Sequence, residues 1–205
     1  IQLSEFFQYL SMTKTSLKTV VLGNNLNTTP IKKGLRLPST LEQLNVGKIV
    51  WEDTSLVTLF EMICHCHRQK EFRLAVPAAT ISPVQRAELS HLFSEAGAKV
   101  LTTLIWDGNP IIDSLFVFLQ NCPNLVSLSL CGCFNSDTSI LQSFAAYIKT
   151  SKITNLIMQG TSNIRIGDSF GDLFQAFRVN KSIKFLDISS NSIRTAGLME
   201  LIKVL

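Results

Sequence analysis

The sequence predicts an α/β solenoid: a curved arc with parallel strands on its concave face and helices on its convex face. Three observations predict it. A short pattern, apolar at its first, fourth and sixth positions and closed in the best copies by asparagine or cysteine at the ninth, starts at residues 17, 41, 71, 101, 125, 153 and 183. The spacings between these starts are 24, 30, 30, 24, 28 and 30 residues. Between the copies lie segments of helical periodicity that end in small polar turns. A strand plus one helix cannot bury its apolar face alone, so such units stack on their neighbours.

The clearest copy is IKFLDISSNSI, residues 183–193. Ile183, Leu186, Ile188 and Ile193 take the apolar positions and Asn191 the asparagine. Leu186 and Ile188 alternate as a strand buried on one face should, which assigns them to the core. Asn191 ends that strand, where its side chain is expected to satisfy backbone groups along the stack.

Taken from the start, the chain opens with a helix over about Leu3–Met12, with Leu3, Phe6, Phe7 and Leu10 on one face. LKTVVLGNN follows, with Leu17, Val20, Leu22 and Asn25 in register. Leu41, Leu44 and Val46 make the next copy, in which Ile49 replaces the asparagine. The helical half before it, TPIKKGLRLPS, is broken by Pro30, Gly34 and Pro38. A helix is expected from about Ser55 to Arg68. The next copy is degenerate, with only Leu74 and Val76 aligned and Pro77 just after the strand. Pro83 opens a helix to about Ala96, with Gly97 as its stop. Leu101, Leu104, Trp106, Asn109 and Ile111 restore the full pattern. Leu125, Leu128, Leu130 and Cys133 repeat it, with cysteine at the asparagine position, and Ile153, Leu156 and Met158 give a weaker copy.

These copies read as the consensus L-x-x-L-x-L-x-x-N-x-L of leucine-rich repeats. The alternation of units near 24 and near 30 residues with full helices resembles the ribonuclease-inhibitor-like class. Within that class, LTTLIWDGN and IKFLDISSN look like repeats of the CARMIL proteins, cytoskeletal scaffolds that regulate actin capping protein and bind membranes. The resemblance covers essentially the whole chain, and its motif defines an architecture, not a partner. In that family the segments that bind capping protein lie outside the repeats, so no residue here takes that role. The broken units that start at residues 41 and 71 depart from the family's regular pattern.

Composition fits one domain over 1–205, of about seven repeats. Hydrophobic residues make up 46% and charged residues 17%, below the roughly 25% charged of ordinary soluble domains. The chain therefore buries a great deal. No apolar run approaches the roughly 18 residues of a transmembrane helix. The opening IQLSEFFQYL has no signal-peptide pattern, and with the apolar ending GLMELIKVL it suggests a piece of a longer protein. Five cysteines in no disulfide-framework spacing favour a reducing, cytoplasmic setting. Two N-x-S/T triplets, Asn27-Thr28-Thr29 and Asn180-Lys181-Ser182, read as chance matches. Net charge is +4, and the excess lies in residues 1–50, where Lys14, Lys18, Lys32, Lys33, Arg36 and Lys48 outweigh Glu5 and Glu42.

Few constellations carry chemistry. Gly167-Asp168-Ser169-Phe170-Gly171 matches the G-x-S-x-G elbow of serine hydrolases. The elbow needs a strand running straight into it and a histidine downstream. Here the strand is expected to end near Met158, and His65, His67 and His91 all precede Ser169. The plainer expectation is that Asp168 or Ser169 caps the following helix. Cys64-His65-Cys66-His67 invites a zinc reading, but four consecutive residues on a helix point around it, not at one centre. Cys131 and Cys133 are already explained by register. No phosphate loop or metalloprotease motif appears, and the basic residues do not form the aromatic-interleaved face that nucleic acid binding needs. The expectation is no enzyme, no metal and no cofactor.

What remains is the surface. In such an arc the strand residues pointing away from the core line the concave face. The central column is Val21, Asn45, Ala75, Ile105, Ser129, Ile157 and Asp187, and flanking columns add Lys18, Gln43, Arg73, Thr103, Asp107, Ser127, Gln159, Phe185 and Ser189. Apolar residues rimmed by polar ones suit a protein interface. The leading expectation is a non-enzymatic scaffold that binds a protein partner there, in the actin cytoskeleton if the family resemblance extends to role. The alternative is association with anionic lipid through Lys14, Lys18, Lys32, Lys33 and Arg36.

Overall fold

The computed structural model describes residues 3–23, 30–66, 71–112, 114–134, 138–167 and 169–204. From β2 onward strands and helices alternate through the described chain. The strands are β1 (Thr19–Gly23), β2 (Gln43–Gly47), β3 (Phe72–Ala75), β4 (Leu101–Ile105), β5 (Ser127–Ser129), β6 (Asn155–Ile157) and β7 (Phe185–Asp187). The helices are α1 (Leu3–Met12), α2 (Ser55–Cys64), α3 (Pro83–Glu95), α4 (Ser114–Gln120), α5 (Thr138–Thr150), α6 (Gly171–Val179) and α7 (Thr195–Val204). All seven strands form one parallel sheet in sequence order, β1 to β7.

Register carries the expected repeat into three dimensions. Val20, Leu44, Leu74, Leu104, Leu128, Leu156 and Leu186 stand opposite one another across the whole sheet. The first six are buried, and they join the helix residues Phe60, Leu89, Leu115, Phe144 and Leu173 in a single apolar cluster. Each fully buried leucine contributes roughly 1.5–3 kcal/mol. Within the core Phe60, Phe93, Trp106 and Phe118 interlock, with Phe93 and Phe118 stacked at 4.7 Å and Phe60 edge-on to Phe93 at 4.9 Å. The Trp106 indole donates to the Pro110 carbonyl at 3.2 Å, so this large ring is buried with its polar atom satisfied.

The edges differ from expectation. Leu17 is 45% exposed, and Leu22, Leu186 and Ile188 are half-buried. β1 and β7 each have a neighbour on one side only, so their apolar residues are covered from one flank. On α1, Leu3, Phe7 and Leu10 are buried while Phe6 is half-buried.

The ninth-position side chains bridge units through buried backbone groups. The Asn109 amide donates to the Val76 carbonyl, and its oxygen accepts from Ala79 N at 2.7 Å. Asn191 does the same three units later, donating to the Met158 carbonyl at 2.6 Å and accepting from Ile166 N at 3.2 Å. Cys133 takes the role with its thiol, which donates to the Trp106 carbonyl at 3.3 Å. Val76, Trp106 and Met158 occupy equivalent positions in their units. Where the position is Ile49, and Ala79 in the next unit, the backbone substitutes: an isolated parallel bridge joins Val50 to Thr80. Asn25 lies outside the described residues.

Helix termini match expectation in part. At α3, Ser82 accepts from Gln85 N, and the Gln85 side chain accepts from Ser82 N, a complete capping box. Buried Gln85 also donates to the Trp51 carbonyl at 2.9 Å, tying this cap to the preceding unit. Gly97 follows the helix, but its role is space: a Cβ there would collide with the Asn121 carbonyl. α6 departs from expectation. Its N-cap is Phe170 with no side-chain cap bond, so Ser169 does not cap it, and Asp168 lies outside the described residues. α2 ends at Cys64 because His65 and Cys66 close it with turn hydrogen bonds; the expected end at Arg68 lies outside the described residues.

Asn109→Ala leaves the Val76 carbonyl and Ala79 amide buried without partners, and is expected to destabilise the fold by roughly 2–4 kcal/mol. Urea denaturation followed by circular dichroism reads this as a lower midpoint. Cys133→Ala removes one weak S–H donor and is expected to lower the midpoint by clearly less.

Candidate functional site

The face of the sheet opposite the helices presents three parallel rows of side chains. Strand pairing places Val21, Asn45, Ala75, Ile105, Ser129, Ile157 and Asp187 in a single row, the column read from the sequence. A second row runs Thr19, Gln43, Arg73, Thr103, Ser127, Asn155 and Phe185. A third is set by backbone bonds just past the strands, where Ala78 N donates to Asp107 O, Gly108 N to Cys131 O, Gly132 N to Gln159 O and Gly160 N to Ser189 O. Asp107, Cys131, Gln159 and Ser189 therefore stand side by side.

Position in a row does not make every member available. Val21 is 66% exposed and Phe185 52%, while Ile105 and Ile157 are half-buried. Ser129 is only 7% exposed, and its hydroxyl donates to Asp107 Oδ1 at 2.7 Å, so it is removed from the accessible set. Ala75 is buried as well. The cause is the same in both: short side chains in mid-sheet sit below the level of their larger neighbours. Lys18 falls one residue before β1, and Thr19 takes its place in the second row. Its ammonium lies 3.6 Å from Glu42, an exposed pair of small energetic value. Arg73 and Gln43 keep their predicted places, exposed and half-buried respectively.

Several polar members also serve the fold. Asp107 Oδ1 accepts from Cys131 N at 2.8 Å in addition to Ser129, so one carboxylate oxygen ties two units. Asn45 accepts from Gly47 N at 3.1 Å and Asp187 from Ser189 N at 3.0 Å, the local turn that Asx side chains favour. Asp187 Oδ2 further accepts from the Gln159 amide at 2.6 Å, joining two predicted residues across β6 and β7. These bonds, led by the Ser189 amide, hold the Asp187 carboxyl below its ordinary value. Sequence reasoning missed Asn155 and Cys131; counting two residues back from Ile157 and two forward from Ser129 in the central row finds both.

The alternative chemistries have little geometry to use. Ser169 sits in the turn before α6, with its amide on the Ile166 carbonyl, and β6 ends at Ile157, well before it. Among the described residues no three His, Cys, Asp or Glu side chains converge as a metal site would require, and His67 lies outside them. Burial pushes the thiols of Cys64, Cys122 and Cys133 up to about 12, which keeps them protonated and unreactive near neutrality. The five cysteines are unpaired. Asn180 is buried and fully engaged: it donates to the Ile148 and Ser151 carbonyls and accepts from Ser182 N and Ile183 N. No carbohydrate fits on that amide. The other triplet, Asn27-Thr28-Thr29, lies outside the described residues. Among the described residues no helix is long and apolar enough to cross a membrane. No family model matches the chain, and no curated protein matches it.

Because its pKa is depressed by bonds made in the fold, Asp187 adds stability that is present above the unfolded aspartate value and is lost as pH falls through the folded value. Carboxyl carbon shifts followed by NMR are expected to show Asp187 titrating below an ordinary aspartate. In Gln159→Ala, its titration is expected to move up toward the ordinary value.

Proposed function

We propose that the chain is an arc of leucine-rich repeats of the ribonuclease-inhibitor-like class, and that it is a non-enzymatic scaffold. In this reading it binds a protein partner through the face that carries the three rows. The single observation that carries the proposal is the outward row itself. Val21, Ile105 and Ile157, with exposed Phe185 beside them, place apolar area on a face whose other members are mainly polar, the exposed Arg73 guanidinium among them. Apolar anchors inside a polar rim are the usual make-up of a binding surface. The rigid strands beneath hold those side chains at fixed spacing, which lowers the ordering cost of association.

The partner-facing set of this proposal is Val21, Gln43, Asn45, Arg73, Ile105, Asp107, Ile157, Gln159, Phe185 and Asp187. The likeness to CARMIL repeats supplies the context we propose, regulation of the actin cytoskeleton in the cytoplasm. A second reading rests on a separate observation: Lys14, Lys18, Lys32, Lys33 and Arg36 are all exposed near β1, which favours contact with an anionic lipid surface.

Ile105→Glu, Ile157→Glu and Phe185→Glu each place a charge in the outward rows without entering the core. They are expected to leave the thermal midpoint nearly unchanged and to weaken capture of the partner at least about tenfold, the usual scale of an interface anchor. Quantitative pull-down from cell extract with the wild type as reference measures it. Undiminished capture by all three variants overturns the concave-face reading. For the second reading, co-sedimentation with phosphatidylserine vesicles is expected to fall as salt rises; salt-independent binding contradicts it.

A further inference from the structure

Along the central row of the outward face, tall and short side chains alternate. Ile105 and Ile157 stand half-buried on β4 and β6, and Ser129 between them on β5 is 7% exposed. Ala75, on the far side of Ile105, is buried as well. Neighbouring strands lie about 4.8 Å apart, so the two isoleucines are about 10 Å apart at the backbone. They wall a slot one side chain wide, with Ser129 as its floor. That floor is already satisfied, because the Ser129 hydroxyl donates to Asp107 Oδ1.

Opposite charges flank the slot at matching distances. Two strands to one side, Arg73 is exposed on β3, next to the low position of Ala75. Two strands to the other side, Asp187 stands in the central row itself. Arg73 is the one cation in the three rows, and among the described residues no ion pair engages its guanidinium. Its side chain is long enough to cover the offset of roughly 7 Å between its own Cα and that of Ala75. The Asp187 carboxylate is held in its charged form by the Ser189 amide and the Gln159 side chain.

We propose, resting on the reading that this face binds a protein, that the partner presents an extended segment whose charges mirror this order. Its apolar residue enters the slot between Ile105 and Ile157. An Asp or Glu three residues to one side meets Arg73 above Ala75, and a Lys or Arg three residues to the other side meets Asp187. The spacing follows from geometry: extended chain rises about 3.3 Å per residue, so three residues match two strand separations. Arginine takes a carboxylate through two parallel N–H bonds, which makes the contact at Arg73 the selective one. A cation at that position of the segment faces like charge, and the repulsion discriminates against it. Ala75 and Ser129 thus serve recognition by being short, although neither is exposed.

The test uses the whole chain to select from a phage-displayed library of random linear peptides about nine residues long, enough to cross from β3 to β7. Among selected peptides whose binding Ile105→Glu abolishes, an acid three residues from Leu, Ile or Met, with a base three residues beyond it, is expected to be enriched about tenfold over the unselected library. Selection on Arg73→Glu, a change at an exposed side chain, is expected to put Lys or Arg in place of the acid at the same spacing. A synthetic peptide with Glu, Leu and Lys at that spacing is expected to bind Arg73→Glu about fivefold more weakly than the wild type by fluorescence anisotropy, a difference that shrinks as salt rises. Ile105-dependent peptides without the acid, or an acid preference that Arg73→Glu leaves unchanged, overturn this inference and leave the concave-face reading standing. Absence of any Ile105-dependent peptide overturns both.

Discussion

Everything in this molecule depends on one constraint, the in-phase pairing of seven parallel strands. Each core leucine stands beside its counterpart in the next unit from Val20 to Leu186. Side chains alternate across a strand, so fixing the leucines on the helical side fixes every other position on the opposite side. A slip of one residue in any strand sends leucines to solvent and the outward row into the core. The inner packing and the outer surface are thus two consequences of the same register.

Parallel pairing leaves the turns beyond each strand with buried backbone groups, and the ninth-position side chain answers that need in several chemistries. Asparagine donates and accepts at 109 and 191, whereas the cysteine thiol at 133 donates to the equivalent carbonyl. Where the side chain is Ile49 or Ala79, the main chains of the two units pair directly at Val50 and Thr80. The requirement is conserved within the chain while the residue is not. That is why the pattern weakens in the unit that starts at residue 71 although the sheet runs through it unbroken.

The strand rows were legible in the sequence because period-two alternation is a property of each strand alone. Leu104 and Ile105 declare opposite faces without reference to any neighbour. Accessibility was not legible, since it depends on what stands alongside. Ser129 occupies the outward row but is sheltered by larger neighbours and held by Asp107, and Lys18 misses the row by a single residue at the strand boundary. The cap of α6 was misplaced because Ser169 has the right chemistry but the chain turns into the helix at Phe170.

The register is the central claim, and engineered cross-linking tests it most directly. Asn45 and Ala75 are paired on β2 and β3, facing away from the helices. Neighbouring strands lie about 4.8 Å apart, within the reach of a disulfide between opposed cysteines. Asn45→Cys combined with Ala75→Cys is expected to cross-link readily under mild oxidation, and Asn45→Cys combined with Val76→Cys, on opposite faces, is expected to resist it. Cross-linking in the second pair and not the first contradicts the register, and with it the outward row.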